Sequence, residues 1–438
     1  MIEYAELHAH SEYSLLDGTS SPDELAAHAA ALGISALGMV DHDNVYGAVS
    51  LREAARKHGI KAIYGAELTV DQHHLTLLAA NATGWHNLCW LISEARRCEK
   101  KGNANLPAHL LPGHTDGLIA LSGCRRGRVA KAMLVHDYEA AVQATWEYLS
   151  LFGRERFWIE LQHHHLPEDK YLTADLINLA DRLGVGIVAT NNVHYATPDQ
   201  QRLQDVMVSI RANTPLLEAR HLRRPNHHYY LKSGTEMTVL FPPHALANTL
   251  VIAEQCQFEP EYGLQDLPAF PTPPGLSAVG YLRILCEQGI QEHYCEPSER
   301  VQRQLDYELS VIDRANLANY FLIVWDVVRF ARENGIRCQG RGSAANSLVA
   351  FLLYISPVDP LRFNLVFERF LSEERQVAPD CDLDFDAARR EEVIQYVYSR
   401  YSREYAAMAC TFVTYHRRSA VRDVGKALGL PESFLGEL

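Results

Sequence analysis

The chain has 438 residues, enough for two or three domains at roughly 100 to 200 residues each, so a single small binding module is excluded. With 47% hydrophobic and 22% charged residues it has the composition of a folded globular protein, which excludes disorder and collagen-like repeats. The formal charge of -13 weighs against a surface that wraps nucleic acid along its whole length. Residues 1–195 alternate short apolar runs with helical patterns. Strands are expected at 3–9, 35–40, 61–68, 75–79, 118–122, 157–161 and 185–189, and amphipathic helices at intervals such as 22–32 and 171–183. Strand then helix, repeated, predicts a parallel α/β architecture, and about seven strands suggest a barrel-like closure, with an open doubly wound sheet as the alternative.

Residues 258–275, FEPEYGLQDLPAFPTPPG, hold five prolines and little periodicity and read as a linker. The expected division is therefore a first domain over 1–257, the linker, and a second domain over 276–438. Beyond the linker come helices at 281–294, 301–315 and 321–333, a glycine turn, another apolar helix, a short acidic strand and a helix at 387–401. Charge and histidine follow the same division. Residues 301–438 carry 17 Lys and Arg against 19 Asp and Glu, so most of the acidity precedes them, and of the 21 histidines only His416 lies there. Different chemistry is expected of the two parts.

No apolar run approaches the ~18 to 20 residues a membrane span needs, and the start MIEYAELHAH lacks the basic and apolar stretches of a signal peptide. A cytoplasmic protein with no membrane partner is expected. The nine cysteines form no CxxC pair, which indicates neither a disulfide framework nor a thiolate zinc finger.

His8 and His10 lie in ELHAH, where a strand's period of two places both on one face at the strand's C-terminal end. An HxH pair alone is common. Here Asp17 follows in LLDG, His42 ends the second strand, Glu67 the third, His74 opens the fourth, Cys124 closes the fifth, and Asn192 and His194 follow the seventh. In an α/β barrel the strand C-termini converge on one mouth. Nitrogen and oxygen donors with one sulfur suit Zn²⁺ or Mn²⁺. Glu160, Gln162 and His164 are weaker candidates for supporting roles; the run His163 to His165 reads equally as a solvated strand end, and His227 and His228 as exposed loop residues.

These motifs resemble the PHP domain, over roughly residues 1–195. The resemblance implies a distorted barrel holding up to three metals, with His8, His10, Asp17, His42, Glu67, His74, Cys124 and His194 as ligands. One position departs from it: Asn192-Val193-His194 stands where the family usually has Asp-x-His, and a neutral amide is the weaker ligand. The implied activity is that of a metal-dependent phosphoesterase or 3' to 5' exonuclease; the alternative is a non-catalytic scaffold.

In the second part, CQGRGSAANSLVAFLLY places Gly340 and Gly342 before an apolar helix beginning near Ser347. Free amides at that helix start, with Arg341 beside them, would suit a phosphate. No GKS or GKT follows, so this is not a Walker A loop. In VAPDCDLDFD, with Cys381, Leu383 and Phe385 facing inward, alternation throws Asp380, Asp382 and Asp384 onto the other face. Such carboxylates repel one another unless cations lie between them, and two Mg²⁺ would fit phosphoryl transfer. Asp386 is positioned to cap the following helix.

The blocks YFLIVWDVVRFARENGI, GRGSAANS, NLVFERFLSEER, PDCDLDF and RRSAVRDVGKALGLP resemble the bacterial C-family DNA polymerases, over about 280–435. GRGSAANS and TNNVHYA further resemble the family's error-prone branch, used in damage-induced mutagenic synthesis. The resemblance implies part of a polymerase β-like nucleotidyltransferase palm (α+β), in which Gly342 and Ser343, with Arg341 nearby, hold the incoming triphosphate. Asp382 and Asp384 would bind Mg²⁺, with Asp380 a bystander. Arg417, Arg418 and Arg422 would lie near nucleotide or primer-template, an exposed helical face being the alternative. The implied partners are primer-template DNA and deoxynucleoside triphosphates, with mutagenesis accessory proteins and a sliding clamp reached through later regions. The family's third catalytic aspartate belongs to a later strand than any here, so the expectation is an N-terminal portion of a longer polymerase, inactive in synthesis by itself.

Overall fold

The computed structural model describes all residues except 1, 2, 98, 101, 262–267, 295, 297, 372–379, 410 and 438. Parts of the expected linker and of the block NLVFERFLSEER lie outside the described residues. The chain divides into two compact units, Met1–Pro260 with Thr414–Leu438, and Glu261–Val413.

In the first unit seven strands form one sheet in sequence order: β1 (Ala5–Ala9), β2 (Ala36–Met39), β3 (Lys61–Val70), β4 (His73–Ala79), β5 (Leu118–Leu121), β6 (Phe157–Leu161) and β7 (Gly186–Ala189). The expected all-parallel order needs one correction. β1, β2 and β3 are parallel, as are β5, β6 and β7, but β4 is antiparallel to both of its neighbours. The reason is a two-residue turn: Asp71 and Gln72 both take positive φ (44° and 64°), the backbone that matches the twist of a hairpin and leaves no room for a crossover helix. The sheet curls into a half-barrel. Past β7, Val193 bridges Ala9 in parallel, its amide donating to the His8 carbonyl while the His10 amide donates to the Val193 carbonyl, both at 2.8 Å.

Alternation sorts the strands' two faces. Leu37, Met39, Tyr64, Ala66, Leu68, Leu75, Leu77 and Ala120 pack outward against the surrounding helices. The inner face is apolar at one end, where Leu7, Val40, Ile63, Leu78, Ile119, Leu121 and Val188 cluster with Ile252 and Ala253 of the helix Pro243–Gln255. At its other end it turns polar. Among the outer helices, Pro22–Ala31 starts with a capping box between Ser21 and Glu24. The helix Arg417–Ala427, expected in the second domain, packs against the helix Gln201–Arg211 of this unit, and the Leu216 amide donates to the Ala427 carbonyl (2.8 Å).

The second unit packs the helices Ala278–His293, Glu299–Arg314 and Ala318–Glu333 around a core including Leu282, Leu305, Leu309, Ile312, Phe321 and Leu352. Against it lies an antiparallel pair, β8 (Cys338–Arg341) and β9 (Asp382–Phe385). Asp326, buried on the third of these helices, accepts from Arg329 (2.6 Å), Tyr396 (2.7 Å) and Tyr401 (2.9 Å), which ties that helix to Arg390–Tyr405. Among the described residues no helix is long and apolar enough to cross a membrane.

Candidate metal centre and acidic hairpin

The polar end of the half-barrel gathers all eight residues expected there. Glu67 is the hub. Its carboxylate lies 2.7 Å from His74 Nδ1, 3.0 Å from His42 Nδ1, 3.4 Å from His8 Nε2 and 3.8 Å from His10 Nε2. Because β4 runs antiparallel, His74 at its start stands beside Glu67 near the end of β3. The parallel bridge between His42 and Glu67 extends the pairing of β2 and β3 to bring in His42. The closing bridge at Val193 brings His194 to His10, their rings 4.3 Å apart. Asp17 joins through His42 (3.3 Å) and His194 (4.0 Å), and Cys124 through His74 (3.3 Å).

The loop carrying Asp17 is fixed by Asp41, a buried carboxylate that accepts from the Ser11 amide and hydroxyl and from the Ser14 hydroxyl, each at 2.7 Å. On the inner faces of β6 and the chain after β7, Glu160 takes His8 Nδ1 at 2.7 Å and is held by Gln162 (2.9 Å) and Thr190 (2.5 Å). Such a carboxylate fixes which imidazole nitrogen of His8 faces inward. Glu160 and Gln162 thus take the supporting positions. His164 does not: it is buried with Nε2 on the Asn191 carbonyl (2.8 Å) and its ring stacked on Tyr229. His163, His165, His227 and His228 lie together away from the pocket, His165 and His228 with ring centroids 4.2 Å apart.

The electrostatics are those of donors crowded without a cation between them. Burial works against charge on His8, but Glu160 and Glu67 outweigh it and lift its pKa to about 10. His42 is lifted to about 9 against the same desolvation by Asp17 and Glu67. Burial would raise Glu67, yet His74 and His8 hold it well below its ordinary value. His10 is pushed well below the usual range by burial and by His42 and His194. Burial, with Glu67 adding to it, lifts the Cys124 thiol.

Among the described residues three triads bring one ligand atom each to within 4.8 Å of the others: His8, His10 and Glu67; His42, Glu67 and His74; and His10, His42 and His194. Divalent ions fit this donor set, because they would let every imidazole coordinate in its neutral form and would neutralise Glu67. Asn192 is also buried there, its side-chain oxygen without a hydrogen-bond partner and its carbonyl accepting from His194 Nδ1 (2.8 Å). The sequence reading missed Arg224, Arg211 and Gln204, which close around Asp17 from outside the strands.

In the second unit Arg341 pairs with Asp382 and Gln339 with Asp384 across β8 and β9. Asp380, Asp382 and Asp384 are exposed, whereas Cys381, Leu383 and Phe385 turn toward the core, as alternation required. Gly340 packs so closely that a Cβ would lie 2.3 Å from the Ile355 carbonyl oxygen. Gly342 takes a φ of 71°, and a Cβ there would stand 3.9 Å from an Asp382 carboxylate oxygen. The glycine turn therefore lies directly beside the carboxylates. Arg341 Nε is 3.4 Å from Asp384, and Ser343 sits in the short turn Gly342–Asn346.

Two expectations fail here. The amides at the start of the helix Leu348–Leu352 are not free for phosphate. Buried Glu308 accepts from the Leu348 amide (2.9 Å), the Val349 amide (3.1 Å) and the Ser347 hydroxyl (2.8 Å), and Ser347 in turn accepts from the Ala350 amide (3.1 Å). A carboxylate already compensates that helix end. Asp386 caps no helix: it accepts from the Ala388 amide in a turn, and the helix begins later, at Arg390. Arg417, Arg418 and Arg422 lie exposed on the helix that packs with the first unit, Arg422 beside Asp423 (3.1 Å).

Comparison with known families follows the same division. A family profile for the PHP domain matches residues 6–164, and the first unit, a curled seven-stranded sheet with histidines and carboxylates at one rim, is a domain of that class. A second profile, for the bacterial DNA polymerase III alpha NTPase domain, matches residues 280–438. The chain thus carries regions that match both the PHP domain and the bacterial DNA polymerase III alpha NTPase domain, and its curated relatives are named as DNA polymerases. It is 42% identical, over all of its length and 42% of the relative's, to an error-prone DNA polymerase of Symbiobacterium thermophilum. An error-prone DNA polymerase of Mycobacterium tuberculosis is 41% identical over 98% of the chain and 40% of the relative. A DNA polymerase III subunit alpha of Treponema pallidum is 39% identical over 99% and 38%. The chain spans about two fifths of the length of these curated relatives.

Proposed function

We propose that the protein works in template-directed DNA synthesis as an error-prone polymerase, extending a primer 3'-hydroxyl with deoxynucleoside triphosphates during damage-induced mutagenic replication and repair in the cytoplasm. The observation that carries the reading is the hairpin of β8 and β9, which presents Asp382 and Asp384 outward beside the Gly342 turn. It is supported by relatives 39–42% identical along nearly the whole chain that are named as polymerases. In this reading 1–257 is the PHP domain, 258–275 a linker and 276–438 part of the palm. Asp382 and Asp384 hold Mg²⁺, which when bound supplies neutralisation of the charge on the transferring phosphoryl group. Arg341, Gly342 and Ser343 hold the triphosphate: the glycine permits close backbone approach, and the arginine, now paired with Asp384, supplies a positive group for the phosphate oxygens. Mutagenesis accessory proteins and a sliding clamp belong to the same reading as partners. In the intact polymerase that carries this sequence, Asp382→Asn or Asp384→Asn is expected to abolish primer extension while leaving the fold unchanged by circular dichroism; undiminished extension refutes the assignment.

The assembled histidine pocket favours a second, concurrent activity, a metal-dependent phosphoesterase or 3' to 5' exonuclease. His8, His10, His42, Glu67, His74 and His194 would hold Zn²⁺ or Mn²⁺, with Asp17 and Cys124 at the edges, and the bound ions would supply Lewis-acid activation of a phosphoester. Glu160 orients His8, and Asp41 holds the loop that presents Asp17. Manganese-dependent trimming of a DNA 3' end that is lost in His10→Ala supports this activity. Its absence from metal-loaded protein leaves the pocket a scaffold.

A further inference from the structure

The three triads of the pocket are not equivalent. Around Glu67 the near groups are the imidazoles and the Cys124 thiol, and among the described residues no arginine is paired with the two triads that contain it. The third corner, formed by His10, His42 and His194, is different. His194 Nδ1 lies 2.8 Å from the Asn192 carbonyl, so Nδ1 carries the proton and Nε2 presents its lone pair. That lone pair faces the Arg224 guanidinium, which is in hydrogen-bond contact with it. Asp17, the carboxylate nearest this corner, is also engaged. Gln204 donates to one oxygen (3.2 Å) with Arg224 close by (3.7 Å), while Arg211 (3.1 Å) and His42 (3.3 Å) take the other. Arg224 is no loose surface chain, for its guanidinium lies over the Tyr229 ring at 4.5 Å. At position 192, where a carboxylate would attract a cation, the side chain is an amide whose oxygen finds no partner.

We infer that Arg224 is a built-in cation that takes the place of a metal ion at the His10, His42 and His194 corner, so that the pocket accepts divalent ions only at the two triads containing Glu67. The inference rests on the reading of the pocket as a metal centre. An ion on His194 Nε2 would need the same lone pair that the guanidinium occupies, and would meet a fixed positive charge where it needed a negative one. Arg224 is in this sense a specificity-determining residue that sets the number of ions.

The test is metal stoichiometry. The chain, carrying Asp382→Asn and Asp384→Asn so that the hairpin contributes no ion, is stripped with chelator, reloaded with Zn²⁺, desalted and measured by elemental analysis. A Co²⁺ titration followed by visible absorbance gives an independent count. At most two ions per chain are expected with Arg224 present, and one more in Arg224→Met, with Arg224→Gln as the substitute if the methionine variant does not fold. Three ions with Arg224 present, or no gain on its replacement, overturns the inference. If two ions bind with and without Arg224, only the role of Arg224 falls. If none bind in either chain, the metal-centre reading falls with it.

Discussion

His74 Nδ1 lies 2.7 Å from Glu67 Oε2 across the β3–β4 hairpin, although in register Glu67 faces Thr76 and His74 faces Thr69. The contact is a diagonal one on a single face of an antiparallel pair, within reach of long side chains. It makes Glu67 common to two of the three donor triads. Glu67→Ala is therefore expected to remove both ions of those triads, whereas His74→Ala removes one. Elemental analysis of reloaded protein checks this, and full occupancy in Glu67→Ala would exclude Glu67 as a shared ligand.

Glu160 touches the pocket only through His8. Removing its charge leaves the imidazole in place but frees its orientation and lowers its basicity. Glu160→Gln is expected to weaken Zn²⁺ binding by about 10- to 100-fold, the usual effect of losing such a partner, with no change in the number of ions. Competition against a chromophoric chelator measures it; an unchanged affinity means that the 2.7 Å contact serves only packing.

Much of this pocket was legible because strand periodicity and barrel topology are short-range and repetitive. The seven strands fell where alternation put them, and the strand ends then named His8, His42, Glu67 and Cys124 together. The reversal of β4 was not legible, since its turn, Asp71-Gln72, contains no glycine to announce a positive φ. Arg224, Arg211 and Gln204 escaped because nothing local in a loop or in the helix Gln201–Arg211 specifies a contact with Asp17. Glu308 did leave a signal: it stands between Leu305, Leu309 and Ile312 on the buried stripe of its helix, and a charge there requires partners. The helix Arg417–Ala427 was assigned to the second domain by the resemblance of its block RRSAVRDVGKALGLP, and its packing on Gln201–Arg211 depends on contacts that sequence distance hides.

Lys232 is 2% exposed, and its ammonium is held by the Asn191 side chain (2.9 Å) and the His228 carbonyl, with no carboxylate in contact among the described residues. Burial lowers its pKa from 10.5 to about 8. The unfolded chain then binds the extra proton between about pH 8 and 10.5 while the folded chain does not, so stability rises with pH across that window and the full penalty applies below it. Relative to Lys232→Met, which cannot titrate, wild-type stability should gain on the order of a few kcal/mol between pH 8 and 10.5. Urea unfolding at a series of pH values gives this difference, and a flat one contradicts a depressed lysine.

Glu308 links the helix Glu299–Arg314 to the short helix Leu348–Leu352 that follows the Gly342 turn. Its carboxylate satisfies two backbone amides and the Ser347 hydroxyl, and Gln304 donates to it as well (2.9 Å). Glu308→Ala strands two buried amides at about 1 to 3 kcal/mol each, so a loss of roughly 3 kcal/mol in stability is expected. Glu308→Gln should cost less, because its carbonyl still accepts while its NH₂ can only confront a second donor. The turn Gly342–Asn346 leads straight into the helix that Glu308 anchors, so, on the proposed reading of that turn as the triphosphate site, the alanine variant should also bind deoxynucleoside triphosphate more weakly. Calorimetric titration at a temperature where the variant remains folded separates the two effects: weaker binding with an intact fold ties the turn to this anchor, and wild-type affinity shows that the turn holds its shape without it.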